Sequence, residues 1–310
     1  VNLSWFWLDE ARFVSKQAFH ILLARLRAPE APKLQGVLTS TPAMNWLFDE
    51  FNEGKEHRGI TVASTRENIY LADEFIDDLR SSYSDTLFSS YVDGQFVQLT
   101  GGVFPQFDVR KHVVDVVCDP SMPVHVGLDF GYRKPSAIFF QLFDFCREHR
   151  APRCMHIIDE MHPNNTSTTE LSTKMKQYFN LHNWKKGNVY CDPAGAAKSV
   201  TVGWSDIDVL ESDLWNCVYS FDPVERHIPY GIEQIRTKLK SAAGVTSMYF
   251  SKKCLEFERG IVRSLQLSEY PETKRDVSDN PVKDGVYDHA RDALRYAVVN
   301  ISTPQKGFFS

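Results

Sequence analysis

One apolar run in the middle of the chain ends in an acidic residue followed closely by a glycine. Val124–Leu128 is apolar apart from one histidine, Asp129 follows it directly, and Gly131 comes two positions later. Ser136–Cys146 is a second segment that reads as an apolar strand. Such runs, separated by turn residues, are typical of paired strands, and glycine allows a tight turn beside the acid. We therefore predict a β-hairpin whose first strand presents Asp129 at its C-terminal end.

Hydrophobic periodicity predicts further strands and helices on both sides of this hairpin. Short apolar runs indicate strands, and apolar positions three to four residues apart indicate helices. Before the hairpin, the predicted strands are 3–8, 34–38, 59–63 and 95–99, and the predicted helices are 13–27 and 71–91. After it, the predicted strands are 154–158 and 188–192, and the predicted helices are 168–181, 232–242, 252–265 and 287–296.

The order of these elements predicts an α/β fold in two parts. Three successive strands, a helix and another strand in the second half are typical of a mixed sheet with helices packed on it. The chain of 310 residues is long enough for two hydrophobic cores, and Gly101–Gly102 is the expected hinge. We predict a first domain over 1–100, a linker over 101–120 and a second domain over 121–310.

The composition is that of an ordinary soluble globular protein. The net charge is −5, so any nucleic-acid contact must come from a local basic face. No apolar run reaches membrane-spanning length and no signal-peptide pattern opens the chain, so no membrane contact is expected. The six cysteines are scattered without a C-x-x-C pair. A zinc site is therefore not expected, and free thiols in a reducing cytosol are.

Two adjacent acids, Asp9 and Glu10, follow the first predicted strand in the arrangement of a Walker B motif. In that motif the first acid holds Mg²⁺ and the second orients the attacking water. Thr39, Ser40 and Thr41 follow the next strand, where they could sense a γ-phosphate. The same segments could equally be a solvated strand end and a plain turn. The sequence contains no Gly-x-x-x-x-Gly-Lys-Ser/Thr loop, so it holds at most half of an ATPase site.

Three aspartates in the second half, Asp129, Asp192 and Asp292, are the strongest candidates for catalysis. Two follow predicted strands and the third lies in the first turn of the last predicted helix, so all three could meet at one edge of the sheet. Hydrolysis of a phosphodiester in a two-metal site needs such hard oxygen ligands around Mg²⁺ or Mn²⁺ ions about 3.5–4 Å apart. Because neighbouring carboxylates repel one another, a cluster of this kind indicates bound cations.

Other residues remain open as members of this site. His289 shares a helix face with Asp292 and could bind Mn²⁺, or it could simply pack at the helix start. Asp288 could be a ligand or the cap of the helix, and Glu160 is a reserve acid at another strand end. Lys198 could contact the scissile phosphate or be a solvated lysine. Several basic side chains could contact the phosphates of a DNA backbone, or they could lie on ordinary solvated helix faces. They are Arg226, Arg236, Lys238, Lys240, Lys252, Lys253, Arg259 and Arg263.

The chain resembles the large subunit of tailed-phage terminases, the motor and nuclease of DNA packaging. The motifs occur in the family's order and span nearly the whole chain. The segments that carry the resemblance are LSWFWLDEA, LTSTPAMNWLFDEF, ASTRENIYLADEFIDDL, DGQFVQLTGGVFPQFD, GLDFGYRKPSA, CDPAG and DHARDALRY.

The resemblance implies a ribonuclease H-like nuclease domain preceded by the C-terminal part of a P-loop ATPase domain. It implies that Asp129, Asp192 and Asp292 bind the two metal ions, and that some members use the histidine at the position of His289. In the first domain it implies that Asp9 binds Mg²⁺ and that Glu10 is the ATPase base. By the same resemblance Thr39, Ser40 and Thr41 couple hydrolysis to motion.

The family's Walker A loop and first ATPase strands have no counterpart in this sequence, and Val1 leads at once into an apolar run. We therefore expect the N-terminal part of the family's protein to be missing, and we expect these residues alone not to turn over ATP. ATP enters as a cofactor only with the missing part, whereas Mg²⁺ or Mn²⁺ is expected at the nuclease site.

The resemblance also implies partners and a location. Double-stranded DNA, the portal protein and the small terminase subunit are expected partners, with a homo-oligomer on the procapsid and a monomer as one option in solution. The cytoplasm of the infected bacterial host is the expected compartment. The leading hypothesis is an endonuclease that cuts concatemeric viral DNA during ATP-driven packaging. The alternatives are a resolvase- or transposase-like nuclease of the same fold, and a non-catalytic docking module for the portal or small subunit.

Overall fold

The computed structural model describes residues 2–42, 46–51, 56–96, 102–131, 133–146, 149, 151–198, 203–270 and 280–301. The chain divides into two compact units, Val1–Leu99 and Thr100–Ser310, which are described separately. None of the described helices is both long enough and apolar enough to cross a membrane.

The first unit contains two short parallel strands with helices around them. β1 pairs with β2 so that Trp5 lies opposite Gln35 and Leu8 opposite Leu38. The predicted strands 3–8 and 34–38 are therefore confirmed. In chain order the elements are β1 (Trp5–Leu8), α1 (Lys16–Arg25), β2 (Gln35–Leu38), α2 (Trp46–Phe51), α3 (Asp73–Ser82) and α4 (Asp85–Tyr91).

Three predictions for this unit need correction. Residues 59–63 form no strand, because this exposed segment finds no strand to pair with among the described residues. The predicted helix 71–91 is broken into α3 and α4 at Ser84, whose side chain accepts a hydrogen bond from the backbone N–H of Leu87 and so starts a new helix. Of the predicted strand 95–99, residues 95 and 96 are not in a strand and 97–99 lie outside the described residues.

The second unit is a mixed sheet with helices. Its described part contains a seven-stranded sheet in the order β3-β9-β6-β5-β4-β7-β8. Its strands are β3 (Val113–Val114), β4 (Pro123–Asp129), β5 (Ser136–Cys146), β6 (Ala151–Met161), β7 (Lys185–Cys191), β8 (Asn216–Val218) and β9 (Met248–Ser251). Its helices are α5 (Val109–His112), α6 (Thr168–Leu181), α7 (Asp206–Ser212), α8 (Pro223–Arg226), α9 (Ile228–Leu239), α10 (Ile261–Leu267) and α11 (Asp288–Ile301).

The topology confirms the predicted hairpin and mixed sheet. β4 and β5 are antiparallel, as are β5 and β6, whereas β4 and β7 run parallel. α6 has the bounds that the sequence predicted, and Ser167 and Glu170 form a capping box at its start. The predicted fold class, an α/β protein with a ribonuclease H-like mixed sheet, is confirmed.

The expected linker and one predicted helix in this unit need correction. The expected linker 101–120 is part of the second unit, because β3 pairs with β9 and Val103 is fully buried. The predicted helix 252–265 is two pieces, a 3-10 turn over Lys252–Leu255 and the helix α10, since a turn at 258–260 separates them.

Gly127 allows α11 to lie close against the sheet. A Cβ atom at Gly127 would lie 2.6 Å from the carbonyl oxygen of Ala293 and 3.0 Å from the Cβ of Ala297, so only glycine permits this approach. On the opposite face of the sheet, Val126, Leu128 and Phe139 are fully buried in a core that includes side chains of α6. The close packing fixes the start of α11 over the C-terminal end of β4.

Candidate active site

Strand register brings Asp129 and Asp192 side by side. Asp129 is the last residue of β4, and Asp192 directly follows β7. These parallel strands are paired with Leu128 opposite Cys191, so the next residue of each strand leaves the sheet at the same edge. The pairing alone thus places Asp129 and Asp192 at the same edge of the sheet.

Helix α11 brings His289 and Asp292 to this edge. His289 Nδ1 lies 2.8 Å from Asp129 Oδ2, and because a carboxylate accepts, Nδ1 carries the proton in this contact. Asp292 lies three residues further on the same face, in the second turn rather than in the predicted first turn, since α11 starts at Asp288. The field of Asp292 and Asp192 acts on Asp129, so the three acids share one electrostatic environment.

Burial sets the protonation of Asp129. Loss of hydration raises the pKa of this carboxyl to about 6, and the negative charges of Asp292 and Asp192 add to the rise. The hydrogen bond with His289 opposes this shift and raises the pKa of the imidazole above its ordinary value. The surroundings therefore disfavour the ionised carboxylate of Asp129 and favour a positive charge beside it.

Asp192 is held by two hydrogen bonds. Tyr296 Oη donates to Asp192 Oδ2 at 2.6 Å, and the backbone N–H of Ala194 donates to Oδ1 at 2.8 Å. Burial is the main cause that raises the pKa of Tyr296, so its hydroxyl keeps its proton as a donor. These contacts fix the direction in which the carboxylate points.

Asp292 is paired with a neighbour on its own helix. Arg295 Nε donates to Asp292 Oδ1 at 3.1 Å, and both residues are buried. The guanidinium also lies over the ring of Tyr296, 4.4 Å from its centre. Arg295 therefore compensates part of the negative charge at this edge of the sheet.

An open pocket lies beside two of these acids. It has a volume of about 510 Å³, and Asp129 and Asp192 are among its walls together with Gly131, Gly195 and Thr168. Such a cleft at the carboxyl ends of strands is where α/β folds bind ligands. The carboxylates are thus buried on one side and open to a substrate on the other.

The reserve candidates do not join this cluster. Glu160 is buried within β6, where His162 and the backbone N–H of Ile261 contact its Oε2 at 2.6 and 2.8 Å. Asp288 is the first residue of α11 rather than its predicted cap. The carboxylate that accepts from the backbone ahead of this helix is Asp284. Lys198 is exposed.

The prediction that Arg236 contacts a DNA backbone is wrong. Arg236 is 2% exposed, and it donates from Nε to the carbonyl of Val103 and from Nη2 to Tyr270. It holds the core together and cannot reach a phosphate. Lys253 lies 3.6 Å from the carboxylate of Asp159. The exposed members of the set also include Arg226, Lys240, Lys252 and Arg263.

The candidate ATP-site residues of the first unit also lie together. Thr39 Oγ1 donates to Asp9 Oδ1 at 2.6 Å, because the parallel strands β1 and β2 end side by side. The hydroxyl of Ser40 accepts a hydrogen bond from the backbone N–H of Arg12 and donates one to the carbonyl oxygen of Thr41. Glu10 has a left-handed backbone, with φ of 45°, which turns the chain sharply after the strand.

Sequence reasoning missed two residues of the second-unit site, Tyr296 and Arg295. A signal for Tyr296 was present, since it lies four residues after Asp292 and seven after His289, on the same helix face. The pairing of Arg295 with Asp292 follows from their spacing of three residues.

The mixed sheet, with carboxylates at adjacent strand ends, defines a ribonuclease H-like α/β protein. Residues 2–111 match the family described as terminase large subunit, T4likevirus-type, N-terminal. The PBSX phage terminase large subunit of Bacillus subtilis (strain 168) is 28% identical over 160 residues. The match covers 43% of this chain and 37% of that relative, well under two thirds of its length. The chain is thus similar to phage large terminases, as the resemblance implied.

Solved structures agree in fold over almost the whole chain. The large terminase from a thermophilic bacteriophage, in its third crystal form, has a TM-score of 0.68 at 19% identity, covering 96% of this chain and 70% of that one. The same terminase in complex with ATP-gamma-S has a TM-score of 0.69, also at 19% identity, covering 97% of this chain and 71% of that one. At this level of identity the likeness concerns the fold.

Proposed function

We propose that the second unit is a metal-dependent DNA endonuclease that cuts concatemeric viral DNA during ATP-driven genome packaging. The observation that carries the proposal is the register of β4 and β7, which sets Asp129 beside Asp192 with His289 2.8 Å from Asp129. An open pocket adjoins these acids, where a DNA phosphate would lie.

The donor set fits Mg²⁺ or Mn²⁺. Asp129, Asp192 and Asp292 offer hard carboxylate oxygens. Burial is the main cause that raises the pKa of Asp129, and a bound cation would offset this cost of ionising the carboxyl. When bound, two such ions activate the attacking water and stabilise the leaving oxygen. His289 would act either as a further ligand or as the donor that orients Asp129. Tyr296 holds Asp192 in place, and Arg295 steadies Asp292.

For the first unit we propose part of an ATP site. The ATP-gamma-S complex of the thermophilic phage terminase supports this, since that protein shares the fold. Asp9 would hold Mg²⁺ with Thr39 as its hydrogen-bond donor, and Glu10 would orient the attacking water. Thr39, Ser40 and Thr41 would link hydrolysis to motion. A phosphate-binding loop is not among the residues of this sequence.

The proposed setting follows from the family. Double-stranded DNA is the substrate, and the portal protein and small terminase subunit are the partners, with the chain acting as a homo-oligomer on the procapsid. The compartment we propose is the cytoplasm of the infected bacterial host.

Plasmid cleavage tests the nuclease proposal. We expect supercoiled plasmid to be nicked and linearised with Mn²⁺ or Mg²⁺ and left intact with a chelator. Asp129→Ala should abolish cleavage, because it removes the carboxylate that the site is built around. Asp115→Ala is the matched control and should cut normally, since Asp115 is an exposed acid paired with Lys252.

Two results would contradict the proposal. Cleavage that survives Asp129→Ala would show that the acids are not the catalytic centre. A strong preference for branched over linear DNA would favour the resolvase-like alternative.

A further inference from the structure

Three sulfur and nitrogen donors meet at the opposite end of the β5–β6 hairpin from the nuclease acids. Cys146 is the last residue of β5, and Cys154 and His156 lie on β6. All three are buried, and their donor atoms lie within 4.8 Å of one another. Among the described residues, no other three His, Cys, Asp or Glu side chains have their ligand atoms this close together, and the nuclease acids lie further apart than this.

The spacing of these atoms matches a tetrahedral zinc centre. Cys146 Sγ lies 3.6 Å from His156 Nε2. Zinc bonds of about 2.3 Å to sulfur and about 2.1 Å to nitrogen place two such donors about 3.6 Å apart at a tetrahedral angle. The distance between these two donor atoms therefore already equals the distance between two ligands of one tetrahedral zinc ion.

We propose that Cys146, Cys154 and His156 bind one Zn²⁺ ion that holds the end of the β5–β6 hairpin. The sequence alone predicted no zinc site, because the two cysteines are not in a C-x-x-C pair. The antiparallel pairing of β5 with β6 supplies the proximity that short spacing supplies in zinc fingers.

The fourth ligand is His149 or water. The ring of His149 stacks on Tyr249 with centres 3.7 Å apart, and its centre lies 5.4 Å from that of His156. Two imidazoles on one tetrahedral zinc have ring centres about 5 Å apart. His149 is thus near the position that a fourth ligand would occupy.

The charges at this place balance when zinc is bound. As the two Zn–S bonds form, the two thiol protons go to solvent, and two thiolates with one Zn²⁺ are neutral. The surroundings are apolar, with Phe143 and Val114 packed on the cluster, and Lys238 is a charged neighbour of Cys154.

The site is separate from the nuclease centre. β5 is 11 residues long, and it begins at Ser136, opposite Asp129, and ends at Cys146. A strand of that length spans about 30 Å. The zinc site therefore acts on the stability of the hairpin, and its test is independent of the proposed nuclease.

Cobalt spectroscopy on the whole chain tests this proposal. Reduced, metal-stripped protein should bind one equivalent of Co²⁺ with a thiolate-to-cobalt charge-transfer band, and Zn²⁺ should displace it. Carboxylates at the nuclease site cannot give that band. Cys154→Ser should lose the band, and its melting temperature should rise less than that of the wild type on adding Zn²⁺. Cys217→Ser is the matched control and should keep both, since Cys217 also contacts a cysteine, Cys191, but belongs to no donor group with a histidine among the described residues.

The outcomes are decisive in either direction. A wild-type protein without the charge-transfer band, or a Cys154→Ser variant that keeps it, overturns the proposal. So does a disulfide between Cys146 and Cys154 in protein purified without reductant. If Cys154→Ser does not fold, X-ray absorption at the zinc edge of the wild type decides: two sulfur neighbours support the site, and only oxygen or nitrogen neighbours refute it.

Discussion

Asp129 carries a negative charge that its surroundings disfavour. Its pKa of about 6 lies above the ordinary value of 3.8, mainly because the carboxyl is buried. A carboxyl whose pKa is higher in the folded state stabilises the fold at low pH, and that contribution is lost as the pH rises through the folded pKa. At neutral pH without metal, the ionised carboxylate therefore costs folding free energy.

We predict that Asp129→Asn stabilises the metal-free protein at pH 8. The gain should be about 1–3 kcal/mol, because asparagine keeps the shape without the charge. It should shrink as the pH falls through 6 and vanish near pH 4, where the wild-type carboxyl is protonated. Urea unfolding with a chelator present measures it. Asp115→Asn is the control and should show no comparable gain; equal stability of Asp129→Asn and wild type at pH 8 would contradict the account.

Tyr296 acts on Asp192 through one hydroxyl. Tyr296→Phe removes the 2.6 Å hydrogen bond while keeping the ring, so we predict a folded protein with weaker Mn²⁺ binding. Loss of a residue that orients a metal ligand typically costs about 10–100-fold in affinity or activity. Titration calorimetry with Mn²⁺ measures the affinity. Tyr190→Phe, which removes a hydroxyl away from the acids, should bind normally; unchanged affinity in Tyr296→Phe would refute the role.

These residue contacts were only partly predictable. Asp129, Asp192 and Asp292 stood out because each is an acid next to a strand or helix boundary. The role of Tyr296 depends on the rotation of α11 against the sheet. The sequence alone leaves that rotation open, since helix faces that share apolar residues can pack in several ways.

At the scale of elements, the contact between α11 and β4 positions the site. Gly127 lets the backbone at Ala293 come so close that His289 and Asp292 reach the end of β4. A larger residue would push the helix outward and separate its side chains from Asp129.

We predict that Gly127→Ala destabilises the protein by about 1–3 kcal/mol, as overpacking of a tight contact does. Mn²⁺-dependent cleavage should fall further than stability explains, because the acids move apart. Thermal melting and plasmid cleavage of the folded fraction measure the two effects. Gly102→Ala is the matched control, since the nearest atom to an added Cβ is 4.0 Å away. Wild-type cleavage by Gly127→Ala would contradict this positioning role.

Element boundaries show where sequence patterns were sufficient. The hairpin of β4 and β5 was predicted because apolar runs and a glycine turn agree with each other. α6 was predicted with Glu170 in its first turn, where the helix dipole favours a carboxylate. The helices predicted over 71–91 and 252–265 were broken because local breaks, such as the cap at Ser84, interrupt an otherwise helical pattern. Strand 59–63 failed since a strand needs a partner, which periodicity does not supply.

At the scale of the whole molecule, the two proposed sites, which differ in chemistry, lie at the two ends of one strand, β5. Carboxylates gather where parallel strands end, and the thiols and imidazole gather at the far end of the hairpin. The first arrangement was predictable because strand ends are marked in the sequence. The second was not, since it depends on which residues of β5 and β6 face each other.

The measurement that tests the central claim most directly is anomalous scattering from crystals soaked in Mn²⁺. We predict anomalous peaks about 2.0–2.2 Å from carboxylate oxygens of Asp129, Asp192 and Asp292, and none there in crystals of Asp129→Ala. Wild-type crystals at saturating Mn²⁺ without a peak among these three aspartates, in protein that still cleaves DNA, would contradict the account.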